Sequence, residues 1–212
     1  QSVMTSRTLP LPTSARQPRL ILGSTSSYRR ALLQRLRLPF EVVAPGVDET
    51  ARPAERPIDL ALRLALEKAQ DVALRHPDAV VIGADQVADL DGVAVGKPGN
   101  FERARAQLQG LSGRTVVFHS AVAVVCQAID FAQVVNAPVT VRFRRLTDPQ
   151  IDRYLRLEQP YDCAGSAKCE TLGITLLEAI DSDDPTALIG LPLIRTSALL
   201  RACGLDALAV PA

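Results

Sequence analysis

Two hydrophobic periods alternate along this chain, and the switches between them outline an α/β fold. Arg19–Leu22 is a short apolar run of strand character. Tyr28, Leu32 and Leu36 then recur every four residues and predict a helix whose first turn carries Arg29 and Arg30. Phe40–Ala44 predicts a second strand, stopped at Pro45-Gly46. Pro57 suits the first position of a long helix with Ile58, Leu62, Ala65, Ala69 and Val72 on one face, and Lys68 beside that stripe. Ala79–Ala84 is nearly continuous in apolar residues, the pattern of a strand buried on both faces. Asp85 is expected at its C-terminal end, where open α/β sheets place ligands. Val87–Leu90 and Val93–Val95, joined by Asp91-Gly92, read as a tight hairpin that returns Gly96-Lys97-Pro98 to the side of Asp85. A carboxylate and an ammonium, Asp85 and Lys97, then face one point.

In the second half, Asn100 is placed to cap a helix through Leu111, and Arg114–Cys126 with Val134–Phe143 suits a long antiparallel pair. Thr147 and Gln150 form a capping box for a helix to Leu157. Gln159–Glu170 has no period. A strand near Ile174–Ala179 and a last helix from Pro192 to Cys203, closed by Gly204, complete the pattern. No repeat or linker divides the chain. The expected architecture is α/β, with residues 19–212 forming one domain of two lobes that share a twisted mixed sheet, helices on its flanks and a cleft between the lobes. Residues 1–18 hold no acid, three Pro and several Ser and Thr, and are expected to be a disordered tail.

Charge narrows the function classes. The 212 residues include 24 basic and 23 acidic side chains, a net charge of +1, unlike the strongly basic footprint of a protein that coats nucleic acid. No apolar run approaches the roughly 20 residues that span a bilayer. Cys126, Cys163, Cys169 and Cys203 are dispersed without a Cys-x-x-Cys pair, which fits free thiols in a cytoplasmic protein better than a zinc site or a disulfide framework. His76 and His119 have no partner at metal or triad spacing and are read as structural.

The polar residues that punctuate the apolar pattern carry the chemistry. Ser24-Thr25-Ser26-Ser27-Tyr28-Arg29-Arg30 places small hydroxyl residues and backbone N–H groups at a helix start, followed by guanidinium forks, which suits a phosphate cradle; taken alone it reads first as a capped helix with solvated arginines. It has neither the P-loop nor the dinucleotide glycine pattern. Val47-Asp48-Glu49, Glu67-Lys68-Ala69, Gly83-Ala84-Asp85-Gln86, Gly96-Lys97-Pro98 and Gly165-Ser166-Ala167-Lys168-Cys169-Glu170 add cations for a polyphosphate and acids to bind a metal or activate water. Asp48 is read as a surface acid. Asp85 ends an apolar strand, where burial without a partner is costly.

Together these stretches resemble the Maf family of nucleotide pyrophosphatases from about residue 19 to 205, and within it the subgroup acting on 7-methyl-GTP. The matching segments are LILGSTSSYRRALL, APGVDET, LALEKAQ, VIGADQV, GKP, DCAGSAKCETLGITL and ALIGLPLI. The resemblance implies hydrolysis between the α- and β-phosphates of a nucleoside triphosphate, giving a monophosphate and pyrophosphate. It also implies a divalent cation (magnesium, manganese or cobalt), a homodimer, and a two-lobed fold related to inosine triphosphatases. Carried over by position, Asp85 matches the proton acceptor, Glu49 the second acid acting on metal or water, and Ser24, Arg29, Arg30, Lys68 and Lys97 the phosphate-binding set. Glu49 with Asp85 is the implied metal pair.

The resemblance also implies that base choice falls to Tyr28, Gln86 and Glu170, where the thymidine/uridine triphosphate subgroup carries Arg, Thr and Gln. A 7-methylguanine ring is cationic, so the Tyr28 face attracts it by about 0.5–2 kcal/mol, and Glu170 can accept from the N1 and N2 donors of guanine while complementing the same charge. Tyr28 also shares the Leu32/Leu36 stripe and reads equally as a core residue. The chain departs from the subgroup in having Gly23-Ser24-Thr25-Ser26-Ser27 for Ala-Ser-Thr-Ser-Pro, and Tyr28 where Trp is common. The rival readings are the same chemistry on UTP, dTTP or another nucleotide, a nucleotide-binding regulator of cell division with little turnover, and a cap-binding module. The low aromatic content, 4%, counts against the last.

Overall fold

The computed structural model describes residues 17–209, so the expected tail at residues 1–18 falls almost wholly outside the described residues. Strand β1 (Leu20–Leu22) leads to helix α1 (Ser27–Gln34), β2 (Glu41–Val42), α2 (Pro57–Arg75), β3 (Val80–Leu90) and β4 (Val93–Val95). Then follow α3 (Phe101–Leu111), β5 (Thr115–Cys126), β6 (Phe131–Phe143), α4 (Asp148–Glu158), β7 (Leu177–Asp181) and α5 (Leu193–Ala202). The strands form one mixed sheet in the order β2-β1-β3-β5-β6-β7, with β4 added to β3. β1 is parallel to β2 and β3, and the remaining pairs are antiparallel.

Local chemistry explains most element ends. Ser26, Asn100 and Thr147 each accept a backbone N–H from the first turn of the following helix, and Thr147 with Gln150 completes the capping box. Asp91 and Gly92 both have positive φ, 50° and 84°, the backbone of the two-residue turn that joins β3 to β4.

Three expectations are corrected. Asp85 does not end a strand: β3 runs on unbroken to Leu90, because Val81–Asp89 pairs continuously with β5. Helix α2 is turned from the expected stripe. Its buried face is Leu60, Ala61, Leu64, Ala65, Lys68, Ala69, Val72 and Ala73, with Ile58 and Leu62 only half-buried. The small residues of that face let the helix lie close to the sheet, and Lys68 is inside the face rather than at its edge. The strand expected at Ile174–Ala179 starts at Leu177, since Leu172–Leu176 coils into a 3₁₀ turn.

The core has three apolar clusters. One packs α1 and α5 on Leu20, Leu22, Val80, Ile82, Val122 and Val124. A second packs α2 on the opposite face, against Ile21, Val81, Ala121 and Ala123. The third packs α3 and α4 on Ala88, Phe118, Val139, Val141 and Phe143. β3 therefore starts in one lobe and finishes in the other, with Asp85 and Gln86 at the crossing.

Candidate active site

The site is a gap in the sheet. β1 leaves β3 after Leu22 pairs with Ile82, and β4 joins it only where Val95 pairs with Ala88. Between these points Gly83–Val87 is held by β5 on one side and has an open edge on the other. Successive side chains of a strand point to opposite faces. Asp85 thus turns toward α2 and Gln86 toward the loop before α5, and both border the cleft at the open edge.

Gly83 sets how close α2 comes. A Cβ there would lie 2.2 Å from the Ala65 carbonyl oxygen and 2.6 Å from the Ala69 nitrogen, so only glycine admits the helix at this depth. That approach puts Lys68, 6% exposed, against Asp85, 9% exposed, and the Lys68 ammonium donates to Asp85 Oδ1 at 3.0 Å. It also pairs with Glu49 from the loop after β2. Burial pushes the Asp85 carboxyl above the ordinary aspartate range, more than Lys68 and Arg29 pull it down, and Glu49 adds to the rise. Burial also acts upward on Glu49, but Lys68, Lys97 and Arg29 together hold it below the usual range. The two acids are thereby separated: Glu49 stays ionised, and Asp85 is the more ready to take a proton.

Two contiguous chambers flank this pair. One, of about 520 Å³, is bordered by Ser24, Thr25, Ser26, Arg29, Asp48, Glu49, Lys68 and Lys97. Ser24 is buried and its hydroxyl accepts the Ser26 N–H at 3.1 Å, which shapes the turn before α1. The Arg29 Nε donates to the Gly190 carbonyl at 2.9 Å, tying α1 to the loop before α5. The other chamber, of about 80 Å³, is bordered by Tyr28, Gln86, Asp162, Cys163 and Glu170, and shares Ser26, Arg29, Lys68 and Lys97 with the first. Cations thus stand between an acidic, hydroxyl-rich side and an aromatic, amide and carboxylate side.

Gln86 Nε2 donates to the Leu188 carbonyl at 2.8 Å and the Ala187 carbonyl at 3.3 Å, so its amide is fixed by the 187–190 loop. Tyr28 is half-buried and faces the chamber rather than the core; its hydroxyl donates to Asp162 Oδ1 at 3.3 Å. The Lys168 ammonium lies 5.7 Å from the centre of the Tyr28 ring, a cation on the aromatic face. Burial pushes the Cys163 thiol up to about 12 and the Cys169 thiol to about 12, which leaves both protonated.

The cleft thus gathers Ser24, Tyr28, Arg29, Glu49, Lys68, Asp85, Gln86, Lys97 and Glu170. Arg30 is not among them. One residue further round α1, it is exposed and borders a separate depression with Gln34 and Phe40. Asp85 and Lys97 share the cleft as expected, but the ammonium that contacts Asp85 is Lys68 of α2. Sequence reasoning passed over Asp162, and gave no role to the carbonyls of Ala187, Leu188 and Gly190. The segment ALIGLPLI signalled that loop without showing that its backbone holds Gln86 and Arg29. His119 does not border these two chambers and is bonded to Asp89 at 3.0 Å and Asn136 at 3.1 Å.

Residues 19–203 match the family described as Maf-like protein. The chain is similar to the 7-methyl-GTP pyrophosphatase of Albidiferax ferrireducens, 61% identical over 91% of this chain and 96% of the relative. It is 65% identical to that of a Polaromonas species over 87% of this chain and 84% of the relative, and 59% identical to that of Bordetella pertussis over 90% and 95%. Among solved structures it is similar to Ham1 proteins from Coxiella burnetii and Staphylococcus aureus. These align with TM-scores of 0.44 and 0.45 at 17% and 14% identity, over 61% and 59% of this chain and 75% and 71% of theirs.

Proposed function

This chain belongs to the Maf-like protein family, and we propose that it hydrolyses 7-methyl-GTP to 7-methyl-GMP and pyrophosphate, removing modified nucleotides from the pool. The observation that carries this reading is the buried Lys68–Asp85 pair at the junction of the two chambers, with cations shared between them. A triphosphate laid across the junction puts its β- and γ-phosphates among Ser24, Thr25, Lys97 and Arg29 and its base against Tyr28, Gln86 and Glu170. The α-phosphorus then falls beside Asp85. Asp85 accepts a proton from water as the water oxygen bonds to that phosphorus; the bridging P–O bond breaks, and pyrophosphate leaves with the electron pair. Lys68 and Arg29 offset the charge that gathers on the phosphoryl oxygens.

A divalent cation (magnesium, manganese or cobalt) belongs to this proposal. Among the described residues no three His, Cys, Asp or Glu side chains form a metal cluster. Glu49, with Asp85, would supply the one or two carboxylates with which magnesium is ordinarily held beside substrate phosphates. Bound there, the cation would neutralise phosphate charge and polarise the attacked phosphoryl group. The cytoplasmic setting and the homodimer expected from the family resemblance are also part of the proposal. Among the described residues no helix is long and apolar enough to cross a membrane.

The test is pyrophosphate release from 7-methyl-GTP, GTP, UTP and dTTP with magnesium and with chelator. Fastest release from 7-methyl-GTP, abolished by chelator, is the expected result. Preference for UTP or dTTP would overturn the substrate, and tight binding without turnover would favour the regulator instead.

A further inference from the structure

The base chamber is bordered by a second carboxylate besides Glu170, that of Asp162. Asp162 precedes the 3₁₀ turn Ala164–Ser166, borders the same chamber as Glu170, and accepts the Tyr28 hydroxyl at 3.3 Å. The Cys163 thiol donates to the same Oδ1 at 3.6 Å and lies 3.9 Å from the Tyr28 oxygen. The Tyr28 ring already has a cation on its face, the Lys168 ammonium at 5.7 Å. Lys168 is held there by its backbone: its N–H donates to the Tyr154 hydroxyl at 3.0 Å, and its carbonyl accepts the Gly173 N–H at 2.9 Å.

Asp162 adds a carboxylate to the wall that Tyr28 and Glu170 share. Lys168 stands on the Tyr28 face, and the other cations that border this chamber, Arg29, Lys68 and Lys97, are shared with the phosphate side. A base with a fixed positive ring charge is attracted by both carboxylates; a neutral base gains no such attraction. A phenol that donates its proton toward a carboxylate also carries a more electron-rich ring, which strengthens attraction for a cation on its face.

We propose that Asp162 is a further specificity-determining residue, selecting a positively charged purine by adding a second carboxylate to the base chamber and by polarising and orienting Tyr28. This rests on the reading of the chain as a 7-methyl-GTP pyrophosphatase. Asp162 acts on the base through charge and through Tyr28, and takes no part in the proton transfer at the α-phosphate.

The experiment compares 7-methyl-GTP with GTP, which differ in the methyl group and the ring charge, slightly below neutral pH where the methylated ring keeps that charge. Asp162→Asn retains an acceptor for the Tyr28 hydroxyl and removes the charge. It should raise KM for 7-methyl-GTP about three- to tenfold and move KM for GTP less than about twofold, the size expected of one partly exposed charge. Asp162→Glu should restore most of the preference, which a merely structural role does not require. Tyr28→Phe should lower the preference in the same direction, and combining it with Asp162→Asn should cost less than the product of the single effects. If the wild type prefers 7-methyl-GTP and Asp162→Asn leaves the ratio of the two KM values unchanged, or shifts both equally, Asp162 has no such role. If the wild type shows no preference for 7-methyl-GTP, the underlying substrate reading fails instead.

Discussion

Asp85 and Glu49 share one ammonium yet are shifted in opposite directions, because one is buried and the other is half in water among several cations. For a base that must be ionised to accept a proton, a raised value costs activity at low pH. The acid limb of kcat/KM should therefore lie above the ordinary aspartate range, and Lys68→Met should move it further up, since Lys68 opposes the rise. A pH–rate series on the two proteins checks this. Stability runs the other way. A folded-state value raised above the unfolded one gives Asp85 a stabilising contribution that is complete below the unfolded value and is lost as pH rises through the folded value. Near neutral pH its ionised form is thus a net cost. Asp85→Asn should melt no lower than wild type while turnover falls about 10²–10⁴-fold, the range for loss of a general base. A melting curve and a pyrophosphate assay on the same preparation decide it; near-normal turnover would remove Asp85 from the mechanism. Lys68→Met should instead lose about 1–3 kcal/mol of stability, since it strands a buried carboxylate.

The decisive element contact is α2 on β3. The gap between β1 and β4 exposes the middle of β3, and the close approach at Gly83 brings Lys68 to it. A methyl group at Gly83 meets backbone atoms of α2, which cannot swing away as a flexible side chain would. Gly83→Ala should cost about 1–3 kcal/mol, the usual range for overpacking, and should lower turnover beyond what the stability loss explains, because Lys68 and Asp85 are moved apart. Denaturant unfolding and kinetics at a temperature where the variant is folded separate the two effects. Gly83 stands out in the sequence only as part of VIGADQV. Its reason is a helix packed against it from another part of the chain, which no local pattern reveals.

On the scale of the whole molecule, the cleft lies where β3 passes from one apolar cluster to the next. Arg29 to Gly190, Gln86 to Leu188 and Tyr28 to Asp162 are among the hydrogen bonds that border it. A nucleotide across the seam adds contacts to both lobes that the unfolded chain lacks. A non-hydrolysable α,β-methylene analogue of 7-methyl-GTP, at about a hundred times its Kd, should stabilise the fold by about 2.7 kcal/mol. With magnesium the melting temperature should rise further, and chelator should remove that increment; thermal melts with and without each ligand measure both.

Much of this was legible beforehand, for reasons that differ by residue. Apolar periodicity, the caps at Asn100 and Thr147 and the Asp91-Gly92 turn located the elements, because those signals act within a few residues of the chain. The spaced motifs identified Asp85, Lys68, Lys97 and Tyr28 as a set. Tertiary structure decided the rest. It made Lys68, not Lys97, the partner of Asp85, because helix packing and not the hairpin sets the shortest approach. It turned Arg30 away from the cleft that holds Arg29, since adjacent helical residues diverge by about 100°. It also brought Asp162 to Tyr28 across 134 residues. Local order along the chain settles which chemical groups this protein owns and which elements carry them; folding alone settles which of those groups meet, because charge pairing, burial and backbone contact depend on distances that chain separation does not encode.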